Sequence, residues 1–224
     1  LAKGAASKYR MMVDGMPGKV FDNVELLAKD SMFIFIEVTA DVADANPTDF
    51  LYTDQILFGE GPDTQKVELV TLIQDAYFIF PQRTQNPDET YTYESLNLGL
   101  DDEGNPITIR GQYLDEADPI NGNELHFNNT KPYVIYGYAA VPSTKTLVID
   151  PGARVHFHAE SGLIVANNAS IHVNGAPSTT AALENEVIFE SDRLEPDFAE
   201  VPGQWGTLWL TQGSTDNQIK NLTI

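Results

Sequence analysis

The chain has 224 residues, no cysteine and a formal net charge of −20, from 13 Lys and Arg against 33 Asp and Glu. That balance argues against nucleic-acid binding, where each phosphate contact calls for Lys or Arg, and against docking on an anionic bilayer through protein charge. Without cysteine, disulfides, zinc thiolate sites, iron–sulfur clusters and a thiol nucleophile are excluded within this span. Apolar residues make up 42% of the chain, enough for a packed core, and the length allows one large or two small domains.

The chain opens Leu1-Ala2-Lys3-Gly4 without methionine, which suggests a processed or trimmed N-terminus with no signal peptide left to read. No run of about 18 apolar residues is present, so no helix is expected to span a membrane. Helical patterning is confined to residues 24–29 and is too short to stand alone. Strand patterning is dense, with turns roughly every ten residues. Residues 32–38 are β-rich and apolar on both faces and read as a central strand. Residues 50–58 and 66–72 alternate and flank the turn Gly59-Glu60-Gly61-Pro62-Asp63, which reads as a hairpin. Residues 75–80 form a further strand closed by Pro81, and residues 100–106 turn into another at 107–109. Six to eight short antiparallel strands over about 110 residues suggest a β-sandwich of immunoglobulin-like size.

The pattern changes near residue 130. Strands are now separated by corners such as Asp150-Pro151-Gly152, Asn167-Asn168 and Asn174-Gly175. Residues 147–157 lie over residues 163–173 at an offset of 16, and Ile149/Ile171, Val165/Val187 and Ile188/Leu210 are each 22 apart. The 22-residue spacing fits a coil of a solenoid, which takes about 20–29 residues, and the 16-residue match would relate successive strand–corner units. Leu147, Ile149, Val155, Phe157, Leu163, Val165, Ile171 and Val173 are the expected inward residues. The expected division is a sandwich over 1–113, an acidic linker over 114–132 and solenoid coils over 133–224. Residues 1–130 carry −15 of the charge and residues 131–224 carry −5. The strand-like close Asn221-Leu222-Thr223-Ile224 suggests that the span belongs to a longer protein, because an open edge is an unusual place for a domain to stop.

Two stretches carry a family resemblance. Residues 146–152, Gly162-Leu163-Ile164-Val165, Ile171-His172-Val173-Asn174-Gly175, and residues 187–192 and 204–210 resemble the entry to a right-handed parallel β-helix of the pectate-lyase-like kind. Tyr9-Arg10 through Asp14-Gly15, with residues 30–39, resembles the head of surface-exposed lipoproteins of Bacteroidota. The resemblance implies an all-β fold, an N-terminal β-sandwich followed by the first coils of a parallel β-helix. It also implies a lipid-modified cysteine upstream of Leu1 and attachment to the cell outer membrane.

Candidate chemistry is sparse. His156 and His158 share a strand face and His172 matches His156 at the 16-residue offset, a pattern that suits either zinc or copper or simple outward alternation. Asp115, Asp118, Asn121 and Glu124 place oxygens on a Gly-containing turn where calcium is conceivable, although the spacing is not that of an EF-hand. Asp41, Asp44 and Asp49 form a looser cluster. Glu190 and Asp192, with Arg193 adjoining, are the nearest approach to a catalytic carboxylate pair, and read equally as a charged coil exit. Tyr136, Tyr138, Trp205 and Trp209 are candidates to stack on sugar rings or on a partner, against core or capping roles. Asp30-Ser31-Met32 fits the short O-glycosylation pattern that the resemblance suggests for Ser31. The expected function is a non-enzymatic surface lipoprotein, a binding or accessory subunit of an outer-membrane assembly, with outer-membrane proteins or a surface glycan as partner. The alternative is a polysaccharide-binding or polysaccharide-degrading β-helix protein with its groove on further coils.

Overall fold

The computed structural model describes residues 1–40, 51–59, 61–73, 75–198 and 201–224. The protein is nearly all β, with both antiparallel and parallel sheets. It divides into two compact units: residues 1–75 with 194–199, and residues 76–193 with 200–224.

The first unit holds five strands among the described residues: β1 (Tyr9–Val13), β2 (Met16–Gly18), β3 (Ile34–Val38), β4 (Leu51–Phe58) and β5 (Gln65–Leu72). β1 lies between β2 and β3, antiparallel to both. The turn into β2 is Asp14-Gly15, both at positive φ, the dipeptide that two-residue hairpins favour because their mirror-image turns need that backbone. β4 and β5 form the expected antiparallel hairpin, in register from Leu51↔Leu72 to Phe58↔Gln65. Alternation along β1 buries Tyr9, Met11 and Val13, which share one core with Ile56 and Leu69 of the hairpin. The Tyr9 hydroxyl ties the sheets together by donating to Thr71 Oγ1 at 2.7 Å. Among the described residues, the strand expected at the centre, over residues 32–38, instead pairs on one side only. β3 is an edge strand in this sheet, with Phe33 80% and Phe35 68% exposed.

The second unit begins with β6 (Tyr77–Ile79), the short antiparallel pair β7 (Arg83–Gln85) and β8 (Tyr91–Tyr93), then β9 (Ser95–Leu100) and β10 (Pro106–Tyr113). From there the chain repeats a strict cycle of three. The strands are β11 (His126–Phe127), β12 (Tyr133–Ile135), β13 (Tyr138–Val141), β14 (Thr146–Ile149), β15 (Arg154–Phe157), β16 (Gly162–Val165), β17 (Ser170–Asn174), β18 (Val187–Ser191), β19 (Leu208–Leu210), β20 (Gln218–Lys220) and β21 (Leu222–Thr223). Every third strand pairs in parallel, giving sheets ordered β11-β14-β17-β20, β6-β12-β15-β18-β21 and β9-β10-β13-β16-β19. Only β9 is antiparallel to its neighbour. Each circuit of the chain thus contributes one strand to each sheet, and like positions stack in rows such as Phe127–Ile149–Val173 and Ala139–Leu163.

All eight expected inward residues are fully buried in one core with Phe127, Val141, Val187 and Phe189. The repeat lengths differ from the sequence expectation. The spacing is 22 for Tyr133↔Val155 and 24 for Leu147↔Ile171, then 34 for Val155↔Phe189 and 45 for Leu163↔Leu208. The 16-residue match relates strands two apart, β14 to β16 and β15 to β17. The cause is the long corners at 175–186 and 192–207. The first is held from beneath by buried Arg154, whose guanidinium donates to the carbonyls of Glu186 (2.7 Å) and Leu183 (2.8 Å).

The boundary read at residue 113 falls inside the second unit. β6, β9 and β10 belong to its sheets, and the expected linker over 114–132 carries β11 and the buried Leu114, Leu125 and Phe127. Between the two units the charge divides nearly evenly. The first unit has six basic and fifteen acidic side chains, or −9, and the second seven and eighteen, or −11. Acidity is therefore not confined to the N-terminal part.

Close packing between rows rests on glycine. Tyr138 pairs with Gly111 on one side and Gly162 on the other. A Cβ at Gly162 would lie 2.3 Å from the Thr207 carbonyl and 2.7 Å from the Tyr138 ring. Gly162→Ala should therefore destabilise the fold by about 1–3 kcal/mol, the usual cost of overpacking, measured as a lower urea midpoint; an unchanged midpoint would refute the close approach.

Candidate functional site

Each of the four histidines meets a carboxylate belonging to a later rung. His126 Nε2 lies 2.8 Å from Asp150, His158 Nδ1 2.8 Å from Asp192, and His172 Nε2 3.3 Å from Asp216; His156 Nδ1 lies 3.6 Å from Glu190. The imidazoles are thus distributed along the stack, each with its own acid. Among the described residues no group of three or more His, Asp or Glu is placed to hold a metal ion. Glu190 and Asp192 contact different histidines, so the proposed carboxylate pair is two separate rung-to-rung contacts.

His156 is the one fully buried imidazole. Burial pushes its pKa down to about 4, assisted by the Arg154 charge and opposed by the Ser191 carbonyl. The unfolded chain takes up this proton near the ordinary value of 6.5. Between these values the unfolded state binds more protons, so this group's contribution to stability is present above about pH 6.5 and is lost as pH falls towards 4.

The acidic loop does not assemble a coordination shell. Asp115 accepts from the Ala117 N–H, and Asp118 from the N–H groups of Ile120 and Asn121. Glu124 is buried and accepts from Asn121 Nδ2 (2.8 Å) and from the Asp115 N–H (3.1 Å). These oxygens close the loop on itself. Burial raises the Glu124 pKa, with the Asn121 and Asp115 hydrogen bonds opposing. The Asp41, Asp44 and Asp49 cluster lies outside the described residues.

The four aromatic candidates separate. Trp205 is half-buried and stacks on Phe157, with centroids 4.4 Å apart, so it caps the core. Tyr138 lies along the glycines described above, its hydroxyl end reaching Gly206. Tyr136 is half-buried against His158 at 4.7 Å. Trp209 alone is substantially open, at 42% exposure. It borders a groove of about 680 Å³ on the outer face of the β9-β10-β13-β16-β19 sheet. Across that sheet Trp209, Ile164, Ala140 and Tyr113 form one in-register row. Tyr113, 50% exposed at the other end of the row, was not singled out from sequence. Nothing local links it to Trp209, 96 residues on; only the stacking of four strands does.

The first unit carries a second surface. Met12 and Phe35 pair across β1 and β3 on the outward face. Beside them lies a groove of about 1000 Å³ lined by Met16, Val24, Leu26, Leu27 and Phe33, with Asp14, Asp22, Glu25 and Asp30 among its other residues. Ser31 is exposed within this lining, its N–H bonded to Asp30 Oδ1 at 2.8 Å, so a modifying enzyme would have access to it.

Compared with protein-family models, curated proteins and solved structures, the chain finds no match in any of the three.

The buried histidine makes a direct prediction. Urea unfolding followed from pH 6.5 to 4.5 should show a falling midpoint, and His156→Leu should flatten that fall; an equal slope in both proteins would contradict the assignment.

Proposed function

We propose that the protein is a non-enzymatic binding or accessory subunit of an outer-membrane protein assembly, displayed at the cell surface. On this reading the second unit is the opening part of a right-handed parallel β-helix, and the first is a small sandwich-like head. The strict three-strand cycle supports the former, since parallel crossovers are right-handed in nearly all known cases. The shared core of two antiparallel layers supports the latter. Lipid anchoring upstream of Leu1 rests on the resemblance of residues 9–15 and 30–39 to Bacteroidota surface lipoproteins.

The observation that carries the docking role is the outward apolar face of the first unit. Phe33, Phe35, Met16, Leu26 and Leu27 are each more than half exposed and lie around one groove. Contiguous patches of this kind mark interaction surfaces on soluble domains, and Met and aromatic residues are enriched in interface cores. The acidic rim disfavours an anionic lipid surface and suits a protein partner with basic residues around an apolar contact. A degradative role receives less support, because the nearest carboxylate pair, Glu190 and Asp192, is held by two imidazoles.

Mild detergent extraction of the native protein should isolate it in fixed stoichiometry with an integral outer-membrane protein. Phe33→Asp combined with Phe35→Asp should release it as a monomer with an unchanged circular dichroism spectrum. A wild-type protein that is extracted alone, or that depolymerises an acidic polysaccharide, would overturn the reading.

A further inference from the structure

The groove bordered by Trp209 differs in kind from the rest of the surface. None of its thirteen lining residues is charged, in a chain where 21% of residues are charged and the net charge is −20. Its floor is the middle of the in-register row, Ala140 and Ile164, against which Leu96 packs in one small cluster. The two ends of the row are an exposed indole and an exposed phenol. Three inter-strand steps separate them, roughly 14 Å at the usual strand spacing.

The groove's polar groups are side-chain amides and hydroxyls on the β9–β10 hairpin and on the sheet's corners. Asn97 Oδ1 accepts from the Gly99 N–H, and Asn167 Oδ1 accepts from Thr211 Oγ1 and the Gly213 N–H. Those bonds fix the carbonyl ends of both amides and leave their N–H₂ ends as oriented donors. Asn168 and Ser143 add further groups beside them. Aromatic faces at each end, neutral donors between them and no charge form a surface complementary to a chain of hydroxyls and C–H faces.

We propose that this groove binds an uncharged oligosaccharide, stacked on Trp209 and Tyr113 and hydrogen-bonded by the amides of Asn97 and Asn167. An anionic glycan is disfavoured, since no Lys or Arg lines the groove and the chain's overall field repels it. A peptide is disfavoured because the floor is a sheet face of packed side chains over β13 and β16, whose backbones are already paired on both sides. The site lies wholly in the second unit and goes beyond the docking role proposed for the first.

The test is titration of the purified chain with hexaoses of glucose, mannose, xylose and galactose, followed by tryptophan fluorescence and calorimetry. Hexagalacturonate and an apolar decapeptide serve as contrasting probes. At least one uncharged hexaose should give a saturable change. Trp209→Ala and Tyr113→Ala should each weaken it at least tenfold with unchanged melting temperature, and Trp209→Phe should retain most of it. Trp205, stacked on Phe157, remains as a reporter of intact packing. Failure of every uncharged hexaose would overturn the proposal. So would equal or tighter binding of hexagalacturonate or the peptide, or binding indifferent to both aromatic substitutions. None of these outcomes bears on the Phe33 and Phe35 variants, so the two proposals fail separately.

Discussion

Parallel pairing of every third strand is the constraint on which the second unit depends. Once β12 pairs with β15 and β15 with β18, each inward side chain must sit on its equivalent from the previous circuit. The core then becomes rows of stacked apolar residues, such as Ile79 on Ile135 and Leu147 on Ile171. Apolar rows are stable because each new circuit covers the face of the last. The same geometry makes tight demands where two backbones and a ring converge. Gly111 and Gly162 flank Tyr138 because any Cβ on either would collide with its neighbours.

The outer faces obey the same stacking rule with different chemistry. An outward imidazole has its neighbours fixed one rung above and below, and in all four cases an acid lies within reach. Three of these pairs have at least one exposed partner, where such contacts contribute little to stability singly. His156 differs because it is sealed, and its environment keeps it neutral. The stacking also gathers Tyr113, Ala140, Ile164 and Trp209 from four strands into one row. A neutral groove on an acidic protein is a product of that gathering. It is distinct in position and chemistry from the acid-rimmed apolar face of the first unit.

Much of the architecture was legible. Alternation is a local property, so the eight inward residues from Leu147 to Val173 could be read from apolar spacing and the corners between them. The hairpin of β4 and β5 could be read from its turn. The Asp14-Gly15 turn between β1 and β2 is an equally strong local signal. What misled was length. Corners of 12 and 16 residues at 175–186 and 192–207 stretch the repeat from 22 to 34 and 45, so no single offset matches it. β6, β9 and β10 carry ordinary strand patterns, and a pattern of that kind does not say whether the partner is parallel or antiparallel. Local pattern alone therefore places them with the sandwich, and residues 114–132 in a linker.

Composition and periodicity alone determined that the chain is all-β, strongly acidic, without thiol chemistry and changed in style along its length, because these follow from residue type and nearest neighbours. Which aromatic is exposed, which histidine is buried, and which acid each histidine meets were decided only by tertiary structure. Trp205 and Trp209 are four residues apart and indistinguishable by type. One is turned onto Phe157 and the other left at the edge of an uncharged groove, because the partners that bury or expose them come from strands 40 to 100 residues away.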